Sequence, residues 1–484
     1  MFLRRFWRAF LVLLLLSAVP ARAQDCTADV LVSERQGLKL EVAYRCKSDR
    51  PIAFTADGER MARRVSEFVD GRGESPTPSN NAWTVEPTMG PSGGVVTARY
   101  RFDLTAYARS VDSTSSAVQR GNGALVLLSG WLLEPRGFGF NPTIDIRVQS
   151  QPGLTFAAGL PRVGEAWRLS GLNVRFAGYT AIGKMHYEEI AVPAPGSLRQ
   201  GAARENGVLR LAILEGLSAY ELGETIKWVK KTAEIQADFW QGFPARESLL
   251  GIVINPGRGG VGYGRSVPGG GATVMVEVGE QIIPRHLWSA WVLVHEWVHT
   301  GMPYIRGRAT WFMEGAATYL EPIIRARAGW KGEWEVWNEW IDNMPKGSSA
   351  FLTGLPQAQG GGNYWGGATF MLLADIEIRK ATNGISGLED CFRGALWSGL
   401  DAAKRVDLPD YVAACDRATG TKVMADMVAR YSARGQAVDL PKLWRDLGVA
   451  AKWGDMDDKA PLAEWRRLIV TGGKPMKTDR PWEK

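Results

Sequence analysis

The chain holds only four histidines in 484 residues: His186, His286, His295 and His299. The last two lie four apart, with Glu296 directly after the first, in "HEWVH". Apolar residues Leu287, Trp288, Trp291, Leu293, Val294 and Val298 surround them, and Gly301 and Pro303 follow as helix stop signals. One helix is therefore predicted to carry both. Residues at i and i+4 share a helix face, one turn apart, so two imidazoles can reach one tetrahedral cation, and zinc suits that donor set. Glu296 points about 100° round the helix. That is a poor direction for a ligand and a good one for holding the water that such an ion activates. A shuffled chain of this composition would contain the five-residue pattern on the order of 0.003 times, so coincidence is a weak competitor. A buried helix carrying these groups without an ion would also leave costly polar atoms to satisfy.

A catalytic zinc takes three protein ligands and keeps one position open. The next stretch, "TWFMEGAATYLE" (310–321), reads as a second helix with Thr310 as N-cap. The connection between the two, 300–309, contains Gly301, Pro303 and Gly307 and is long enough to turn the second helix back against the first. Glu314 is then the candidate third ligand. Glu321, seven residues on and on the same face, either orients a ligand histidine or sits at a solvated helix end.

These helices need a scaffold. Residues 24 to about 200 alternate with period two: Leu38, Leu40, Val42 and Tyr44 in one run, Val96, Ala98, Tyr100, Phe102 and Leu104 in another, Ile144, Ile146 and Val148 in a third. Half-buried antiparallel strands, packed as a β-sandwich, are predicted. This region carries no cluster of chemically active residues, so it serves as a packing platform or a wall beside the substrate. After "PAPGS" (193–197) the pattern changes. Residues 218–240 have helical spacing, 249–254 and 273–278 read as strands, and the glycine-rich 256–272 lies between them. That glycine run lacks the Gly-Lys-Ser/Thr ending of a phosphate loop and a strand follows it; its glycines would let backbone come close to something. From about 366 onward the spacing is helical, and the tail from 472 is expected to be poorly ordered.

Hydrophobic residues make up 45% of the chain and charged residues 23%, ordinary for a globular protein of two or three domains. Arg4, Arg5 and Arg8, the apolar run Phe10 to Val19, and Ala21-Arg22-Ala23 form a secretory signal peptide over 1–23, against the alternative of a retained membrane anchor. Its removal lowers the formal charge from +7 to +3, so the basic pI gives no reason to expect nucleic acid as a partner. No later segment has the apolar length of a spanning helix. In a periplasmic or secreted protein the four cysteines pair locally as Cys26–Cys46 and Cys391–Cys415; none has the spacing of metal ligands.

Taken together, "HEWVH" and "WFMEGAATYLE" resemble the gluzincin metallopeptidases, above all the aminopeptidase N and glycyl-aminopeptidase-like families. Their pattern is His-Glu-x-x-His followed by Asn-Glu-Gly-Phe-Ala-x-Tyr-x-Glu. The resemblance is sharpest over 285–321 and continues at 362–384, where "NYWGGA" is similar to the family's Tyr-x-x-Gly-Ala helix. It implies one Zn²⁺ per chain held by His295, His299 and Glu314. It also implies Glu296 as the base that activates water and Tyr364 as the oxyanion donor, with Tyr319 and Tyr304 as rivals for that last role. The expected architecture is multidomain: signal peptide 1–23, β-rich N-terminal domain 24–200, α+β thermolysin-like zincin domain 201–345, and α-helical C-terminal region 346–484. The substrate would be a peptide or protein, and no oligomeric state is assigned. The connection between the motif helices is shorter than in aminopeptidase N relatives. Their Gly-x-Met-Glu-Asn edge strand, whose Glu grips the substrate's free amine, is expected at 269–279. There the glycines persist without the motif, and Glu277 is the only acid on the strand. Exopeptidase and endopeptidase action both stay open, with blocked peptides expected to be tolerated. Two alternatives remain: a peptidase-derived scaffold that keeps its metal without turnover, and a zinc hydrolase acting on a non-peptide bond.

Overall fold

The computed structural model describes residues 25–137, 142–171, 174–267, 271–449 and 456–476. The expected signal peptide and residues 477–484 of the tail lie outside the described residues.

The alternating runs form the middle of an eight-stranded sheet. Leu38–Lys47 pairs antiparallel with both Cys26–Glu34 and Gly93–Asp103. The period-two residues Leu38, Leu40, Val42, Tyr44, Val96, Ala98, Tyr100 and Phe102 are all buried, as expected when alternate side chains share one sheet face. They join a single hydrophobic cluster with Phe54 and Trp83 of a three-stranded sheet and Val126 and Ile182 of a four-stranded sheet. The expectation of purely antiparallel strands fails at one place. Cys26–Glu34 runs parallel to Thr143–Ser150, with Cys26 opposite Ile144. A parallel neighbour needs a long crossover, and here the chain passes through other strands before returning. Alternation reports which face is buried and carries no information on direction. Cys26 and Cys46 face each other across the first hairpin and are disulfide-bonded.

A second, five-stranded sheet has the order His186–Pro193, Asn206–Ile213, Glu247–Asn255, Thr273–Gly279, Val261–Val267. Its three inner strands are parallel and its two outer strands antiparallel to their neighbours. It begins ahead of the residue-200 boundary expected from sequence, because His186–Pro193 continues the strand pattern into this sheet. Helix Ala219–Trp240 starts at a capping box, Ser218 accepting from the Glu221 N–H and Glu221 accepting in return. One sequence expectation is corrected here. Thr273–Gly279 is hydrogen-bonded on both sides, so it cannot be the edge strand beside a substrate. The edge strand is Val261–Val267, inside the glycine-rich run 256–272.

Helices follow. The motif helix spans Val292–Thr300 with Gly301 as C-cap. A Cβ at Gly301 would lie 2.6 Å from the Trp240 ring, so glycine both ends this helix and makes room for that indole. The next helix spans Thr310–Arg327; its cap is Ala309 rather than Thr310 and makes no side-chain hydrogen bond. After a π-helical turn, Gly362–Gly366, helix Gly367–Ala381 crosses it backbone to backbone. A Cβ on Gly315 would lie 2.4 Å from Gly367 Cα, and one on Gly367 would lie 2.1 Å from the Trp311 carbonyl. The core around this crossing joins Val294, Val298, Trp311, Phe312, Tyr319 and Phe370. The motif helices and the C-terminal helices therefore share one core. Cys391–Cys415 ties helix Leu388–Trp397 to helix Leu408–Thr419. Among the described residues no helix is long and apolar enough to cross a membrane.

Candidate active site

The motif helix is buried along almost its whole length, and its position is fixed from behind. Gln236, buried on helix Ala219–Trp240, donates to the Val294 carbonyl at 2.9 Å and accepts from Trp240 Nε1 at 2.9 Å. This leaves the His295–His299 face turned toward a cleft of about 550 Å³, lined by the edge strand Gly262–Ser266, Trp291, Tyr304, Met313, Glu314 and Tyr364. The imidazole centroids are 5.1 Å apart. Glu314 Oε2 lies 3.3 Å from His295 Nε2 and 3.5 Å from His299 Nε2. One ligand atom from each of the three lies within 4.8 Å of the others. Sequence spacing had placed these three together, and the structure does so.

The electrostatics follow from burial and proximity. Burial alone would raise the Glu314 carboxyl, but the two imidazoles outweigh it and hold Glu314 well below the usual carboxylate range. Burial pushes the Glu296 carboxyl up, against the opposing pull of His295 and His299 and of a hydrogen bond from the Ser266 backbone. That bond ties Glu296 to the edge strand. The strand comes so close that a Cβ at Gly264 would lie 2.8 Å from Glu296 Cγ and 2.5 Å from Val292 Cγ1. Burial, reinforced by Glu314 and then Glu296, pushes the Tyr364 phenol up to about 12. Tyr364 therefore stays a hydrogen-bond donor at neutral pH. It projects from the π-helical turn, stacked at 6.4 Å on the His295 ring.

The other sequence candidates divide. Tyr319 is buried and donates to Asp375 Oδ2 at 2.7 Å, away from the cleft. Tyr304 lines the cleft, its ring 5.6 Å from that of Phe176 in the N-terminal region. Glu321 is buried, so it is no solvated helix end, and its carboxylate accepts from Arg325 Nη1 at 3.0 Å rather than from a histidine. Seven residues advance about 10 Å along a helix, which takes Glu321 past the imidazoles. Glu277 is held by Thr114 Oγ1 at 2.5 Å and Asn255 Nδ2 at 2.7 Å, and it does not line the cleft. Sequence reasoning missed Tyr263, Arg265, Ser266 and Trp291. The first three lay hidden in a glycine-rich stretch, and the alternation of Gly262, Gly264 and Ser266 with Tyr263 and Arg265 was the signal available.

No family model and no curated protein matches the chain. Solved structures do. An aminopeptidase N family protein from Idiomarina loihiensis aligns over 87% of this chain and 78% of its own, with a TM-score of 0.62 at 14% identity. The chain has a gluzincin aminopeptidase-like fold. An M1 zinc metallopeptidase from Deinococcus radiodurans aligns over 86% and 94%, with a TM-score of 0.51 at 13% identity. A mutant of the Deinococcus protein bound to a Tyr-Ser-Ala substrate matches equally well, at 0.51 and 13%. This M1-like fold comprises two domains, built around sheets and followed by a C-terminal helical region.

Proposed function

We propose that this protein is an exported zinc-dependent metallopeptidase, and the observation that carries the reading is the convergence of His295, His299 and Glu314 at the floor of an open cleft. Two imidazoles and one carboxylate are the donor set of a catalytic zinc with an open position. The carboxylate stays ionised between the two Nε2 atoms, as a ligand must. Zinc bound there supplies Lewis acidity, activating water and polarising the scissile carbonyl.

The chain's own residues do the rest. Glu296, adjoining the triad and steadied by the Ser266 N–H, takes a proton from water and passes it to the leaving amine. Its burial favours uptake of that proton. Tyr364, protonated and facing the same cleft, donates to the oxyanion that develops on the carbonyl carbon's oxygen. The exposed edge strand Val261–Val267 offers unpaired backbone groups to an extended peptide. In this reading the N-terminal region is a β-sandwich, the centre a thermolysin-like zincin domain, and residues 1–23 a signal peptide. The two disulfides accord with export to an oxidising compartment.

Digestion of a peptide library by the zinc-loaded protein, read by mass spectrometry, tests the function. The parent should cleave. Glu296→Gln should keep its zinc and lose at least ~10²-fold in turnover, as expected for loss of a general base. A parent that cleaves no peptide, or a variant that cleaves as fast as the parent, contradicts the reading.

A further inference from the structure

The charges along the cleft are uneven. Among the described lining residues the only carboxylates are Glu296 and Glu314, and both are committed to the site just described. Glu277, the one acid on the neighbouring strand, is held by Thr114 and Asn255 and is not among the lining residues. Among the described lining residues no uncommitted acidic group is left to receive a substrate's ammonium.

The cleft does hold a cation. Arg265 lies on the edge strand, next to Ser266 and two residues from Tyr263. Its guanidinium Nη1 donates to the Ser115 carbonyl at 3.0 Å, and the same side chain meets the Tyr179 hydroxyl. That carbonyl also accepts from Tyr179 Oη at 2.7 Å. Tyr179 is buried, so the N-terminal region fixes the point from which the guanidinium is held. Arg265 makes no ion pair with any described acid, whereas other arginines of the chain, such as Arg168 and Arg306, are paired in two-pronged fashion with aspartates. A guanidinium has five N–H donors in a planar fork suited to a carboxylate. No described acid occupies that fork, and Arg265 lines the cleft.

We infer that Arg265 is a specificity residue that receives a carboxylate of the substrate. This rests on the peptidase reading of the site and names its substrate class: peptides bearing a negative charge along the edge strand, from an acidic side chain or from the C-terminus. A free N-terminal amine is not what this cleft selects. Loop 113–115 of the N-terminal region thereby takes part in substrate choice, because it orients Arg265 through Ser115.

The test uses the zinc-loaded full chain and N-acetylated peptides in which a single Glu is moved through successive positions. Each is compared with its Gln isostere, and each is made with a free or an amidated C-terminus. The parent should prefer the carboxylate over its neutral isostere by about 10- to 100-fold in kcat/KM at one position, the range for a hydrogen bond to a charged group. The Glu/Gln pairs report a side-chain source and the acid/amide pairs a terminal one. Arg265→Gln should bring that ratio close to one, and Arg265→Lys should retain part of it, since lysine keeps the charge and loses the fork. A parent indifferent to the carboxylate at every position, or a preference that survives Arg265→Gln, overturns the inference. Should no peptide be hydrolysed, the peptidase reading fails by itself. The same pairs titrated calorimetrically into parent and Arg265→Gln then decide: tighter binding of the acid, lost in the variant, upholds the role of Arg265, and equal affinities refute it.

Discussion

Tyr364 and Glu314 show how much a single side chain's setting determines here. Three phenols line the cleft: Tyr263, Tyr304 and Tyr364. Tyr304 packs against Phe176 and beneath the Arg405 guanidinium, while Tyr364 stacks on His295 and borders both site carboxylates. Tyr364→Phe removes one donor and little else. It should lower kcat by about 10²- to 10³-fold, the effect of losing one oxyanion donor, without loss of zinc. Full activity in Tyr364→Phe together with a crippled Tyr263→Phe would move the role to the edge strand. The closeness of His295 and His299 was legible in the sequence because i, i+4 spacing on a helix has one geometric outcome. Tyr263 and Arg265 were not, because glycines on either side mask a strand pattern that depends on larger side chains to be seen. Glu321 misled for a different reason: sharing a helix face does not bring two residues to the same height along the axis.

Helix crossings position the triad. The "MEGAA" and "YWGGA" stretches look like ordinary small-residue helix starts, yet Gly315 and Gly367 are where two helices touch through their backbones. That contact sets Glu314 beside the turn carrying Tyr364. A methyl group at 367 has nowhere to go, since the nearest atoms are main-chain atoms of the facing helix. Gly367→Ala should therefore cost about 1–3 kcal/mol from overpacking and lower zinc affinity and turnover together. Thermal unfolding and metal titration would check this. A variant as stable as the parent, with unaltered zinc binding, would show that the crossing is looser than the backbone distances imply. Such a contact is invisible in one sequence, where glycine reads first as a break. The motif helix, by contrast, announced itself through its apolar face and its Gly-x-Pro ending, and the structure ends it at Gly301.

Over the whole molecule, the helices that carry the site are held by a buried charge cluster as well as by the shared core. Glu389 accepts from Arg327 Nη2 at 3.0 Å and from Arg379 Nη2 at 2.8 Å, tying helix Thr310–Arg327 to helices Gly367–Ala381 and Leu388–Trp397. Burial would raise its carboxyl, but Arg327, Arg379 and Arg393 outweigh it and hold Glu389 at about 2. A depressed carboxylate adds stability that is fully present above its unfolded pKa and is lost as pH falls through the folded value. Its contribution should therefore fade between about pH 4.3 and pH 2. Glu389→Gln should destabilise the protein by about 3–5 kcal/mol at neutral pH, the cost of stranding buried arginines, and flatten that acid limb. Chemical denaturation across pH would detect both, and a variant with the parent's stability and acid profile would refute the clamp. At this scale the sequence showed the succession of sheets and helices but not their pairing. The parallel return of Thr143–Ser150 and the place of Val261–Val267 at the sheet edge depend on where distant chain segments meet. The central claim is that His295, His299 and Glu314 together hold one catalytic zinc. Elemental analysis of protein purified without chelator tests it most directly: the parent should carry close to one zinc per chain and His299→Ala little or none, whereas a parent without zinc, or full zinc retention in His299→Ala, would contradict it.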